Sequence, residues 1–420
     1  MRRGIAAAAL ALAVAMTGAG CGGDDKPADS DSGTITWWDT SDATTEAPTY
    51  QALVAEFQAK NPKIKVNYVN VPFSDAEQKF KTAAQGGSGA PDVMRSDVGW
   101  TPAFAAQGYL LPLDGTVAVD QAADFLAGPA GTAKYDGKTY GAPQVTDTLG
   151  LLYNKALFAK AGITGAPATW AELKTAAQAL KAKAGVDGVY LNPDSYFLLP
   201  FLYGEGANLV DVPNKKITVN APEAVKGVQT AQDLVASGAA AKPAYTDGYA
   251  NMQAAFKDGK VGMIINGPWS AADIFSGKSF QDKANLGIAP VPAGSSGKAG
   301  APVGGHNLVV YAGTTHATAA EQFVQFMTSA TTEASTAAKL GTLPARTSAY
   351  TPEVTKNEVI KSFQQAMAVA QPRIALPQAS DLLGPLSQDY VKILQGEPAQ
   401  AGLDNSAKEF AKLLPGWAAP

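Results

Sequence analysis

Cysteine is almost absent from this chain: Cys21 is the only one in 420 residues, and histidine occurs twice. Intrachain disulfides are thereby excluded, so stability must come from packing. Two histidines, with the one thiol committed elsewhere, leave too few ligands for a zinc site. Charge is also sparse. Asp, Glu, Lys and Arg make up 17% of the residues and the net charge is −4, so no basic field exists to attract nucleic acid. Beyond the first 20 residues no apolar run approaches the roughly 20 residues needed to span a bilayer. What remains is a 46% hydrophobic, globular composition with enough chain for two domains.

The setting of Cys21 is informative. Met1-Arg2-Arg3 precede an apolar stretch at 5–16, and the small residues Thr17-Gly18-Ala19-Gly20 follow. A charged start, a short apolar core and small residues at a cut site describe a secretory signal peptide over 1–20. A cysteine at the cleavage point is expected to take a diacylglyceryl group through its thiol, tying the mature chain to a membrane. Gly18 stands at position −3, where such sites usually carry Leu, and an ordinary signal peptide with an incidental cysteine is the alternative. Residues 21–33, rich in Gly, Asp and Ser, read as a flexible tether.

Folded structure is expected from Thr34-Ile35-Thr36-Trp37-Trp38, a β-rich run. Tyr50, Leu53, Val54 and Phe57 repeat at helical spacing, and 64–69 alternates as a second strand. A helix over 74–85 and a third strand at Pro91-Asp92-Val93-Met94 complete a strand–helix–strand–helix–strand order, which implies a mostly parallel sheet. The pattern resumes after 148 with a strand at 149–153 and a short helix at 155–161. Thr169-Trp170-Ala171-Glu172 has capping-box form. Later helices are expected at 221–237, 249–256, 319–329 and three stretches after 356, with strands at 261–265 and 307–311. Residues 293–300 read as a loop. Two α/β lobes follow.

Gly-rich stretches offer little chemistry. Gly86-Gly87-Ser88-Gly89 follows a helix and precedes a strand, the reverse of a phosphate loop. Ser276-Gly277-Lys278-Ser279 lacks the first Gly of a nucleotide motif, and Gly304-Gly305-His306 lacks the third Gly of a dinucleotide fingerprint. More telling are lone acids and aromatics relative to the strands: Asp42, Asp97 and Trp100, Asp194 and Tyr196, and Trp269 follow strands, and Asp147 precedes Leu149, where the chain changes lobe. Ligands of open α/β sheets bind beyond the carboxyl ends of strands. Aromatic faces and carboxylates together suit a sugar, whose C–H faces stack and whose hydroxyls donate to acids. Taken singly, such an Asp is more often a helix cap and such a Trp more often core.

Ile35-Thr36-Trp37-Trp38, Gly89-Ala90-Pro91-Asp92-Val93 and Gly108-Tyr109-Leu110-Leu111-Pro112-Leu113 stand in an order that resembles a known family. So do Tyr135-Asp136-Gly137-Lys138-Thr139-Tyr140-Gly141-Ala142-Pro143, Leu152-Tyr153-Asn154-Lys155 and Pro167-Ala168-Thr169-Trp170. Phe256-Lys257-Asp258-Gly259-Lys260 and Ile265-Asn266-Gly267-Pro268-Trp269 complete the set. From about Ile35 to its end the chain resembles the family 1 extracellular solute-binding proteins of ABC importers, the maltose-binding protein group.

The resemblance implies a two-lobed periplasmic-binding-protein-like α/β fold (type II) with the ligand cleft between lobes. Residues 34–146 and 304–344 would form the N-terminal lobe, and 147–303 and 345–420 the C-terminal lobe. Chain crossings would lie near 146–149, 303–307 and 343–346. Asp42 and Asp147 match acids that bind sugar hydroxyls, and Tyr196 and Trp269 match stacking aromatics. Asp97, Trp100, Asp194, Gly305 and His306 join the candidate ligand-binding set. Ser96, Gly99 and Trp100 depart from the Trp, Asp and Arg of the maltose-binding relatives. Ala43 replaces a Lys, and Leu383-Gly384 an aromatic pair. No cofactor, metal or catalysis is implied. The expected partners are an oligosaccharide, permease subunits and, through lipid, the outer face of the cell membrane, with the chain a monomer. A binding protein for another disaccharide such as trehalose, one for a polyamine or other cation, and a secreted glycoside hydrolase are the alternatives.

Overall fold

The computed structural model describes residues 31–418; the signal-peptide and Cys21 expectations lie outside the described residues. Two main sheets organise the chain. The first runs, in spatial order, Leu343–Pro344, Gly141–Thr148, Ala301–Val310, Val93–Asp97, Gly33–Asp39, Ile64–Asn70, with Ala370–Gln371 pairing the start of Ala301–Val310. The second runs Leu286–Pro290, Gly150–Asn154, Val261–Asn266, Asp187–Tyr190.

Alternation builds the first strand. Ile35, Trp37 and Asp39 are buried on one face of Gly33–Asp39, while Thr34 points to water. Trp37 meets Tyr68 and Phe323 edge-on at centroid distances of 5.4 and 5.1 Å. These rings, with Tyr50 and Phe57 from helix Ala47–Lys60, form the core on one side of the first sheet. Phe80, Phe104, Met94 and Val309 fill the other side. The second sheet carries a separate core in which Trp170 stacks on Phe201 at 4.0 Å. Burying each such ring contributes about 1.5–3 kcal/mol.

The expectation of mainly parallel sheets is corrected. Gly33–Asp39 is parallel to both Ile64–Asn70 and Val93–Asp97, as its helical crossovers require. Ala301–Val310 runs antiparallel to both its main neighbours, and Leu343–Pro344 antiparallel to Gly141–Thr148. In the second sheet Gly150–Asn154 is antiparallel to both neighbours, and only Val261–Asn266 with Asp187–Tyr190 is parallel. The reason is topological. Gly150–Asn154 and Ala301–Val310 each arrive from the other sheet without a crossover helix and run in the opposite sense, and Leu343–Pro344, reached from Ala301–Val310 through two helices, keeps that strand's direction on the far side of Gly141–Thr148.

The chain passes from the first sheet to the second through Leu149 and returns between Pro290 and Ala301. After Leu343–Pro344 it leads to helix Glu358–Met367, whose Phe363 lies against Gly150 of the second sheet. Thr169 does cap helix Trp170–Ala179, accepting from the Glu172 N–H at 3.2 Å. The Glu172 carboxylate reaches one residue further back, accepting from the Ala168 N–H at 2.7 Å.

Candidate ligand-binding site

Strand register assembles the site. His306 lies opposite Asp97, Gly305 opposite Thr146, and Gly304 opposite Asp147. The strand Ala301–Val310 therefore carries its Gly304-Gly305-His306 segment between two acids. Gly305 has φ +127°, and a side chain there would run into the Val145 carbonyl. A Cβ on Gly304 would collide with Asp147 Oδ1 and sit 2.8 Å from the Tyr196 hydroxyl. Only hydrogen at this position lets the carboxylate and the phenol approach the backbone.

Asp147 is 7% exposed, and its Oδ1 has no hydrogen-bond partner among the protein groups. Burial, followed by the nearby negative charge of Asp97, raises its carboxyl to about 7; Arg95 and Arg373 pull the other way. Asp97 is held from two sides. Its Oδ1 accepts from the Gly99 N–H at 2.7 Å and from Arg373 Nη1 at 2.6 Å. The Arg373 guanidinium also lies 5.6 Å over the Tyr196 ring. Burial keeps the Tyr196 hydroxyl protonated, well above the ordinary phenol range.

An aromatic wall adjoins these groups. Trp100 is buried, packed 4.9 Å from Phe73 at a 30° tilt, and Phe73 is 49% exposed. His306 meets Phe73 edge-on at 6.0 Å. Both His306 ring nitrogens are buried without a protein partner, and burial, then Arg95 and Arg373, hold its pKa well below the usual range. The ring is neutral at physiological pH. From the second lobe, Trp269 Nε1 donates to the Tyr249 hydroxyl at 3.1 Å, and Tyr249 is itself exposed. The Tyr249 ring is 6.2 Å from Phe197, which neighbours Tyr196.

Two of the expected acids have local duties. Asp42 is exposed, and its Oδ1 accepts from the backbone and hydroxyl of Thr44 and of Thr45, at 2.8–2.9 Å. Partial burial would raise its pKa, but those four bonds together lower it. Its backbone N–H donates to Glu46 Oε2 at 3.1 Å; Glu46 is buried, with Oε1 unpartnered, and burial raises its carboxyl. Asp194 caps the turn Ser195–Leu198 by accepting from the Tyr196 N–H at 2.8 Å. It is open to water yet crowded by protein, and that crowding raises its pKa.

The structure thus brings Asp97, Asp147, Tyr196, Gly305, His306 and Trp100 into one cluster, with Trp269 joined through Tyr249 and Phe197. Asp42 connects only through Glu46, whose charge reaches both Asp147 and Tyr249. Arg373, Phe73, Tyr249 and Glu46 escaped the sequence reading. Phe73 follows the strand Ile64–Asn70 by three residues, so the rule that flagged Trp100 also covers it. Arg373 carries no such signal. Among the described residues no group of His, Cys, Asp and Glu is placed to hold a metal ion, and no described helix is long and apolar enough to cross a membrane.

Two sheets, each with its own core, and a cluster of acids and aromatics where they meet fit a binding protein of the two-lobed type. The chain belongs to the bacterial extracellular solute-binding proteins, whose family model matches residues 41–334. It is similar to the GacH receptor of Streptomyces glaucescens GLA.O, solved unliganded and in complex with acarbose and an acarbose homolog. Identity is 47%, with a TM-score of 0.89, over 92% of this chain and 100% of that one. A maltooligosaccharide ABC transporter solute-binding lipoprotein of Streptococcus pneumoniae is 28% identical over 92% of this chain and 91% of its own length. A putative binding protein of Brucella abortus is 30% identical over 60% of this chain, and the match spans 62% of that relative's length.

Proposed function

We propose that this chain is the lipid-anchored, extracellular binding component of a carbohydrate ABC importer. It would take a maltodextrin-type oligosaccharide between its lobes and deliver it to membrane permease subunits without chemistry. The observation that carries this reading is Asp147: a buried carboxylate with an unpartnered oxygen, set beside the Tyr196 hydroxyl and the Gly304 backbone. A sugar hydroxyl supplies the missing donor. Asp97, and Asp42 through its free oxygen, would accept further hydroxyls, while Trp269, Tyr196 and the Phe73–Trp100 pair would stack on ring faces, each worth about 1 kcal/mol beyond area burial. Closure of the lobe built on the first sheet against the lobe built on the second would trap the ligand and favour docking on the permease. Cys21 would retain the monomer beside its importer.

A second reading is favoured by a specific observation. The 47% identical receptor is known in complex with acarbose, a pseudo-oligosaccharide containing a secondary amine. An unpartnered buried carboxylate suits a protonated amine as well as a hydroxyl. Titration calorimetry of the mature chain with maltotriose, maltotetraose, trehalose, acarbose and putrescine tests both. The expected result is one-to-one binding of a maltodextrin or acarbose with little salt dependence. Absence of binding to every saccharide, or release of reducing ends from labelled maltodextrin, overturns the proposal.

A further inference from the structure

Among the described residues, the departure at Gly99 has a structural counterpart far along the chain. The segment 372–382 leaves the short strand Ala370–Gln371 and runs between the lobes to helix Leu383–Leu394. On its way Ser380 Oγ donates to Glu77 at 2.9 Å, and Asp381 pairs with Lys81 at 3.2 Å, both on helix Phe73–Gln85 of the first lobe. At its far end the Leu383 carbonyl accepts from Ser195 Oγ at 2.9 Å, beside Tyr196 of the second lobe. Arg373 is the interior contact of this strap. Its guanidinium fills the space a Cβ at Gly99 would take, with Cζ only 2.6 Å from that point.

We propose that Arg373 is a positioning residue of the binding cleft, linking Asp97 of one lobe to Tyr196 of the other. Arg373 and Asp97 side chains are 13% and 14% exposed, so their bond is shielded and its direction is held. The Gly99 N–H and Arg373 Nη1 both occupy Oδ1, which leaves Oδ2 of Asp97 to accept from a ligand. The same guanidinium fixes the Tyr196 ring, whose hydroxyl lies beside Gly304 and Asp147. One cation thereby orients an acceptor and a stacking face on opposite walls. It also offsets the repulsion between Asp97 and Asp147, which faces Arg95, Arg373, Glu46 and Asp97. Gly99 is the complementary feature: any side chain there would push the guanidinium off Asp97.

The inference rests on the saccharide-binding reading, and two measurements keep the claims apart. In the first, Arg373→Gln, Arg373→Lys and Gly99→Ala are titrated with whichever saccharide the unmodified chain binds. Arg373→Gln and Gly99→Ala are expected to weaken binding at least tenfold, and Arg373→Lys, which keeps the charge but loses the planar fork, to recover only part of it. In the second, the ligand-free proteins are melted across pH 4 to 9. Loss of the cation, which pulls the Asp147 carboxyl down, makes Asp147 keep its proton to higher pH, so the inflection moves up in Arg373→Gln and returns in Arg373→Lys. Saccharide affinity unchanged in Arg373→Gln, or an inflection that does not move, overturns the role of Arg373. Failure of the unmodified chain to bind any saccharide removes the functional reading, and the melting series alone then decides for or against the positioning role.

Discussion

Replacing Asp147 by Asn tests the centre of the site. The folded carboxyl titrates at about 7 against an ordinary value of 3.8. Each unit of difference is worth about 1.4 kcal/mol, so keeping Asp147 ionised in the free protein costs on the order of 4 kcal/mol. The sign is set by proton binding. Between about pH 4 and pH 7 the folded state holds a proton that the unfolded state has released. Stability from this group is therefore full below about pH 4, falls as pH rises toward 7, and stays low above it. Asp147→Asn keeps the shape and removes the titration, so its stability should be flat over that range and exceed that of the parent at pH 8 by up to about 4 kcal/mol. Binding should move the other way. A hydroxyl donates more strongly to an ionised acceptor, so parent affinity should rise with pH through about 7. A hydrogen bond to a charged group is worth about 1.5–3 kcal/mol, so the Asn variant should bind roughly 10- to 100-fold more weakly at pH 8 and show no such rise. Calorimetric titrations and melts at pH 5, 6, 7 and 8 read both quantities. Equal affinity of parent and variant at every pH, with parallel melting curves, would refute the assignment of Asp147.

Three further outcomes follow from the same geometry. Trp269→Ala should lower saccharide affinity at least tenfold, while a ring that is partly exposed at the edge of its core should cost the free protein little in melting temperature; unaltered calorimetric binding removes Trp269 from the site. Gly304→Ala should abolish binding, since the new methyl collides with Asp147 and crowds Tyr196; retained affinity would mean the strand yields there. Cys21→Ala should release the chain into the medium of its native host, as read by immunoblot of cell and culture fractions, and continued membrane retention would sink the lipoprotein proposal.

The sequence made the first sheet's parallel half legible because Gly33–Asp39 and Ile64–Asn70 alternate and are separated by an amphipathic helix. It hid Gly141–Thr148, all eight of whose residues are buried and which includes Pro143, so neither alternation nor propensity marks it. Helix Ala330–Leu340 escaped because its small Ala, Thr and Ser residues give little contrast between faces, although Ser329 caps it by accepting from the Thr332 N–H. The post-strand rule found Asp97, and the change of lobe before Leu149 together with the family resemblance pointed to Asp147, yet the rule could not separate Asp97 from Asp42 and Asp194, whose carboxylates serve turns at the same kind of position. Arg373 was out of reach. Its importance arises from an approach to Asp97 across 276 residues of sequence, within an irregular segment that has no period to read.

The order of strands in the first sheet bears on how the chain is made. Ala301–Val310 lies between Val93–Asp97 and Gly141–Thr148, so the sheet begun at Gly33 has a gap at its middle until residue 310 has emerged. Its outer strand, Leu343–Pro344, comes later still. Long-range pairing of this kind delays productive collapse. In a chain of this extracellular family, such a strand order keeps the first sheet incomplete until most of the chain has been made.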